Sequence, residues 1–165
     1  MAQGSPGAAA EKEKTERQVV CTNRKARHLY HILDVWEAGI VLQGTEVKSL
    51  RAGHGTMTDA YAELRNGEMF LHHFHINPYE QGNRYNHEPT RTRKLLLRKK
   101  ELKKLIGRTV EKGLTLVPLQ VYFRNGYAKV EIALARGKKT FDKRRDMAER
   151  EIKRDMERGL KERSR

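Results

Sequence analysis

Two Asn-Gly pairs, Asn66-Gly67 and Asn125-Gly126, each separate two runs in which apolar and polar residues alternate. Asn-Gly readily supplies the positive φ angles of a type I′ turn, whose twist matches that of paired strands, so each pair predicts a tight β-hairpin. The first hairpin joins Asp59–Arg65 to Glu68–Ile76. The second sets Val117, Leu119, Val121 and Phe123 against Ala128, Val130, Ile132 and Leu134 as two inward quartets, leaving Gln120, Tyr122, Arg124, Tyr127, Lys129 and Glu131 outside. Two more strand runs, His28 to Trp36 and Ile40 to Gly44, flank Gly39. Six strands joined mostly by short turns imply a mainly β fold with accessory helices, arranged as a small six-stranded antiparallel barrel.

The helices read less evenly. Thr45 is placed to cap a short helix ending near Gly53, and Thr92 to cap a longer one running Arg93–Ile106 and stopped by Gly107. On that longer helix Leu95, Leu102 and Ile106 share the face that packs on the barrel. Leu96 and Leu97 project instead among Arg93, Lys100, Lys103 and Lys104.

Composition divides the 165 residues into three parts. Residues 1–18, rich in Gly, Ala, Ser, Glu and Lys and without an apolar stripe, read as a disordered leader. Residues 19–135 hold nearly all the aromatic and β-branched residues and form the barrel. Residues 136–165 carry thirteen cations against seven acids. Their apolar stripe, Met147, Ile152, Met156 and Leu160, is thin, so this tail is expected to be disordered when free and helical on a surface it binds.

The chain as a whole has 35 Lys+Arg against 21 Asp+Glu, a net charge of +14, which calls for a polyanionic partner. Eight of those cations (Arg91, Arg93, Lys94, Arg98, Lys99, Lys100, Lys103 and Lys104) lie between residues 91 and 104 with one acid, Glu101, and read as a phosphate-contacting segment. No apolar run approaches the roughly 20 residues of a membrane span, and a cytoplasmic location is expected. A single cysteine, Cys21, excludes an intramolecular disulfide and a cysteine-cluster zinc site.

Little supports catalysis. His73 and His75 fall on one face of their strand and His72 on the other, so the three cannot converge on one metal ion from that strand. Cys21 has no base nearby in sequence, and Gly53-His-Gly55 lacks any nucleotide-binding pattern around it. No cofactor, metal or catalytic residue is expected. Glu37, in Trp36-Glu37-Ala38-Gly39, has the chemistry to accept a hydrogen bond from a base edge or a ribose 2′-hydroxyl.

Five segments, Asn23-Arg-Lys-Ala-Arg-His28, Glu37-Ala-Gly39, Gln43-Gly-Thr-Glu-Val-Lys-Ser-Leu-Arg51, Pro89-Thr-Arg-Thr-Arg-Lys-Leu-Leu-Leu97 and Gly137-Lys-Lys-Thr-Phe-Asp-Lys-Arg144, closely resemble the bacterial small protein B (SsrA-binding) family. The resemblance implies an OB-like barrel that binds the tRNA-like domain of transfer-messenger RNA and takes part in rescue of stalled ribosomes. By motif position it assigns RNA contacts to Asn23, Glu37 and Leu96, with Arg24, Lys25, Lys48 and Arg51 as supporting phosphate ligands. It likewise assigns Lys138, Lys139, Phe141, Asp142, Lys143 and Arg144 to the decoding site of the ribosome, against small-subunit rRNA. Many relatives have histidine at the position of Phe141; phenylalanine can stack on a base but neither ionises nor donates a hydrogen bond. The implied protein is a monomeric adaptor rather than an enzyme. A ribosomal structural protein or an RNA-cleaving enzyme would share the charge but not this set of motifs.

Overall fold

The computed structural model describes residues 17–110 and 113–163. The expected leader lies outside the described residues up to residue 16. Its last two residues belong to the fold, because β1 (Gln18–Thr22) begins at Gln18 and Arg17 is anchored to Glu131 at 2.8 Å.

After β1 come α1 (Arg24–Leu29), β2 (Tyr30–Ile40), α2 (Gly44–Arg51), β3 (Gly55–Thr56), β4 (Tyr61–Arg65), β5 (Glu68–His72) and β6 (His75–Ile76). A 3-10 segment, Glu80–Tyr85, leads to β7 (Arg93–Leu96), α3 (Lys99–Thr109), β8 (Leu114–Arg124), β9 (Tyr127–Gly137) and α4 (Thr140–Arg163). β8, β4, β5, β7, β2 and β9 pair in that order, and β9 returns to β8, so six antiparallel strands close the expected barrel. β1 lies outside the ring on the far half of β8, and β3 with β6 forms a separate two-stranded ribbon. The core is filled by Trp36, Leu50, Met69, Leu71, Phe74, Leu105, Val121, Val130, Ile132 and Leu134, each large side chain contributing about 1.5–3 kcal/mol through burial.

Both Asn-Gly turns form as expected, with Asn66, Gly67, Asn125 and Gly126 all at positive φ. The first hairpin is shorter than expected: His73 takes φ 54° and ends β5 at His72. In the second, a bulge between Pro118 and Gln120 shifts the register by one residue. The inward quartet is therefore broken. Leu116 enters the main core in place of Val117, while Val117 and Leu119 turn to the other face and pack with Ala26, Ala133 and Ala135 beneath α1.

Other boundaries are corrected as well. His28–Trp36 and Ile40–Gly44 are not two strands; one strand, β2, runs through Gly39, and residues 41–43 leave it. The cap of α2 is Gln43 rather than Thr45, because Glu46 reaches back to the Gln43 N–H at 2.8 Å. The expected Arg93–Ile106 helix is a strand followed by a helix. Arg93 and Leu95 point inward and Lys94 and Leu96 outward, and this short strand closes the barrel between β2 and β5. Four residues are too few for periodicity to separate a buried strand from a helix. α3 starts only at Lys99, with Glu101 accepting the Arg98 N–H at 3.0 Å, and its buried residue is Leu105 rather than Ile106. β9 extends to Gly137, so the barrel ends two residues later than expected.

Candidate nucleic-acid interface

On the outer face of the barrel, a single carboxylate gathers the surrounding donors. Tyr122 donates its hydroxyl to Glu37 Oε2, Arg124 Nη1 approaches the same oxygen at 3.4 Å and Arg17 Nη2 lies 3.7 Å from it. Arg17 also covers the Tyr122 ring at 4.8 Å. Burial alone would push the Glu37 carboxyl up, but the Tyr122 hydroxyl, Arg124 and Lys129 outweigh it and hold the group below its ordinary value. Glu37 is therefore a fixed, ionised acceptor at neutral pH. Tyr122, expected outside, lies on the outer face of the sheet yet is fully covered, and burial followed by the neighbouring carboxylate pushes its phenol up. Tyr122→Phe should raise the Glu37 titration toward the ordinary carboxylate range, read by carbon-13 NMR of the Glu37 carboxyl against pH. An unmoved titration would show that the hydroxyl does not hold the charge.

Two residues along β2, on the same face, stands Gly39, paired with Leu96 of β7. A Cβ on Gly39 would meet the Leu96 Cβ at 3.4 Å, an ordinary contact that sets the two positions side by side, and Leu96 is 53% exposed. Glu37 and Leu96 are thus brought together: an anionic acceptor beside an exposed apolar surface.

The remaining assigned residues separate by environment. Asn23 is buried; its Oδ1 accepts from the Ala26 N–H at 3.2 Å and its Nδ2 donates to the Pro118 carbonyl at 3.1 Å. It caps α1 and ties it to β8, and this leaves Arg24 and Lys25 exposed at the start of α1. Lys48 and Arg51 are exposed on α2. Arg51 reaches the Gly126 carbonyl at 3.5 Å and lies 5.4 Å over Phe123, which places it at the β8–β9 turn beside Arg124.

The sequence reading missed the group beneath this surface. Glu46, 5% exposed, accepts five hydrogen bonds: one from Gln43 N–H, two from Arg91 at 2.8 and 2.5 Å and two from Arg93 at 3.0 and 2.8 Å. Arg93, 0% exposed, also donates to the carbonyls of Phe74, Pro89 and Arg91. Arg91 and Arg93 were expected as phosphate ligands; they are instead internal partners that join the residue 89–93 segment to α2. Lys94 pairs with Glu68. The exposed positive charge of residues 91–104 is therefore Arg98, Lys99, Lys100, Lys103 and Lys104. No pattern in one sequence separates an arginine facing inward from one facing water when both sit in the same basic run.

The tail residues also divide. Lys138 donates to the Arg27 carbonyl at 3.0 Å and pairs with Asp146, and its side chain is 7% exposed, so it fastens α4 to α1. Asp142 accepts from the Lys139 N–H at 3.3 Å and faces His31 at 3.5 Å. Phe141, Lys139 and Arg144 are exposed, Phe141 at 75%, and Lys143 is half-exposed. α4 carries Met147, Ile152, Met156 and Leu160 in the open.

The groups weighed for catalysis have structural settings. His72 stacks on Tyr61 at 5.0 Å and lies 3.2 Å from Thr92 Oγ1 and 3.0 Å from Glu63. Burial pushes the Cys21 thiol up to about 11, which leaves it protonated at neutral pH.

The chain matches the family model described as SmpB protein over residues 20–162. It is 57% identical over 148 residues to an SsrA-binding protein of Pelotomaculum thermopropionicum, covering 90% of this chain and 97% of that protein. It is 58% identical over 153 residues to one of Desulforudis audaxviator, covering 93% and 97%. A solved structure described as "tmRNA-SmpB: a journey to the center of the bacterial ribosome" shares 55% identity with a TM-score of 0.62, over 73% of this chain and 85% of that one. With its six-stranded ring, its matched residues and these relatives, the chain belongs to the SmpB (SsrA-binding) protein family.

Proposed function

We propose that this chain is a cytoplasmic, non-catalytic RNA-binding adaptor of trans-translation, which binds the tRNA-like domain of transfer-messenger RNA and delivers it to stalled ribosomes. The observation that carries the reading is the juxtaposition of Glu37 with Leu96. A carboxylate held ionised by Tyr122, Arg124 and Lys129 accepts from a base edge or a 2′-hydroxyl, and an exposed leucine beside it packs on an unpaired base. Arg24, Lys25, Lys48 and Arg51 supply phosphate contacts around it. Asn23 acts indirectly, by holding α1 in place.

The tail is the second surface. Phe141, Lys139, Lys143 and Arg144 present stacking and charge to small-subunit rRNA in the decoding site, and Lys138 with Asp142 sets the direction in which α4 leaves the barrel. The tail occupies the empty mRNA channel, a volume that intact mRNA would compete for. In the structure the tail is the helix α4, but its apolar side chains are exposed, so free of the ribosome that helix should fray.

Glu37→Ala and Leu96→Ala should each weaken binding of the isolated tRNA-like domain by between about fivefold and a hundredfold, measured by fluorescence anisotropy at fixed salt. Affinity should also fall steeply with added salt as counterions cease to be released. Unchanged affinity in both variants would overturn the barrel site.

A further inference from the structure

The N-terminal end of α2 and the segment after β6 enclose an open cleft that includes Lys48, named above as a supporting phosphate ligand, and whose aromatic wall none of the sequence motifs accounts for. Its volume is about 510 Å³, and Thr45, Lys48, Tyr79, Arg84, Tyr85 and His87 line it. That size falls within the roughly 300–1,000 Å³ of small-ligand clefts.

The segment that forms it is built to hold one shape. Asn86 accepts from the Tyr79 N–H at 2.9 Å and donates back to the Tyr79 carbonyl at 2.9 Å, closing the loop on itself. A Cβ at position 82 would meet Asn86 Oδ1 at 2.8 Å, so any residue larger than glycine would displace the side chain that closes the loop. Asn83 is held at φ 43° inside the turn, and Thr45 on α2 donates to the Tyr85 carbonyl at 3.3 Å. This frame displays two aromatic rings, each with a cation against it: Lys48 lies 5.6 Å from the Tyr79 ring and Arg84 5.3 Å from the Tyr85 ring. Tyr85 is 67% exposed, a large aromatic surface left uncovered by a loop fixed this firmly.

Helix α2 links the cleft to the β8–β9 turn. Lys48 and Arg51 are three residues apart on α2 and so share a side. Arg51 reaches the β8–β9 turn, where Arg124 approaches Glu37. Glu46, the acid on this helix, is neutralised from below by Arg91 and Arg93, so the rim keeps its positive sign.

We propose that this cleft binds an unstacked nucleotide of single-stranded RNA, its base against the Tyr79 and Tyr85 rings and its phosphates beside Lys48 and Arg84. Aromatic platforms with interleaved cations hold single-stranded bases by stacking while the charges follow the backbone. The inference rests on the RNA-binding reading above and extends it to a second contact on the same strand.

The test uses the full chain with a labelled hexaadenylate RNA, an abasic oligomer of the same length and the isolated tRNA-like domain, all by fluorescence anisotropy. Tyr79→Ala and Tyr85→Ala should each weaken hexaadenylate binding about tenfold, whereas Tyr79→Phe and Tyr85→Phe should stay within about twofold, because stacking needs the ring and not the hydroxyl. The parent should bind the abasic oligomer about tenfold more weakly than hexaadenylate. Equal binding of the two oligomers, or alanine variants that bind as the parent does, would overturn the cleft assignment. If in that case Glu37→Ala still loses the tRNA-like domain, the functional reading stands without the cleft. A parent that binds none of these RNAs overturns the functional reading itself. Both tyrosines lie on the rim, so unchanged thermal unfolding of the variants separates lost binding from lost folding.

Discussion

Arg93→Ala should lower the unfolding free energy by about 3–5 kcal/mol, the range seen when one member of a buried ion pair is removed. The arginine is fully buried, and its guanidinium serves Glu46 and three backbone carbonyls at once. Truncating it leaves the Glu46 carboxylate with three of its five hydrogen bonds, removes the arginine donor from the Phe74 carbonyl and leaves the Pro89 carbonyl with the Ile76 N–H alone. The loss spreads because the group ties together β7, α2 and the residue 89–93 segment. Arg91, half-buried and bonded to the same carboxylate from the rim, should cost less when replaced by alanine. Urea unfolding of the two variants checks the order, and a loss near zero for Arg93→Ala would mean that the chain repacks around the gap.

The same carboxylate sets an acid limit. Burial raises the Glu46 carboxyl, but hydrogen bonds from Arg91, the Gln43 N–H and Arg93 outweigh it, so its folded value lies below the unfolded one. Its stabilisation is therefore fully present above the unfolded carboxylate value near about 4.3 and is lost as pH falls through the folded value. Stability of the parent should drop across that acid window, and Glu46→Gln should flatten the drop.

Removing residues 140–165 should abolish peptide tagging on stalled ribosomes while leaving affinity for the isolated tRNA-like domain within about twofold. The place of the cut follows from the structure. Truncation at residue 136 would take two residues from β9 and also Lys138, whose ammonium group is bonded to the Arg27 carbonyl beneath α1. Stopping after Lys139 keeps the barrel whole and removes the exposed helix. Lost RNA affinity in this variant, or tagging that persists, would contradict two separable surfaces. Circular dichroism of a peptide spanning 136–165 adds the conformational arm: weak helicity is expected in water, and a stable helix would contradict a tail that folds on the ribosome.

Much of the barrel was legible in the chain because its signals are local. Asn66-Gly67 and Asn125-Gly126 specify their turns through φ angles that few other residues tolerate, and alternation in β8 and β9 needs only near neighbours. The errors share a different cause. Leu95 shares a helical spacing with Leu102 and Ile106, yet it pairs with Met69 and Ile40, which are far away in sequence. The quartet in β8 failed at Pro118, where one extra residue turns Val117 and Leu119 to the opposite face. Glu37 and Leu96 were assigned by the family motifs. Leu96 does stand outward, but by alternation on β7 and not as part of a helix face, and Leu97, expected beside it, packs against the core. Tyr122 seemed an ordinary outward residue until the fold set it against Glu37.

Taken alone, the sequence determined the turns, the strand alternation, the concentration of positive charge and the family motifs, since these depend on residue type and short-range spacing. Only the tertiary structure decided which cations are left exposed. Arg91, Arg93 and Lys138 are used inside the protein and Lys48, Arg51 and Arg84 outside, and burial of a charge depends on whether a partner from a distant segment is there to meet it.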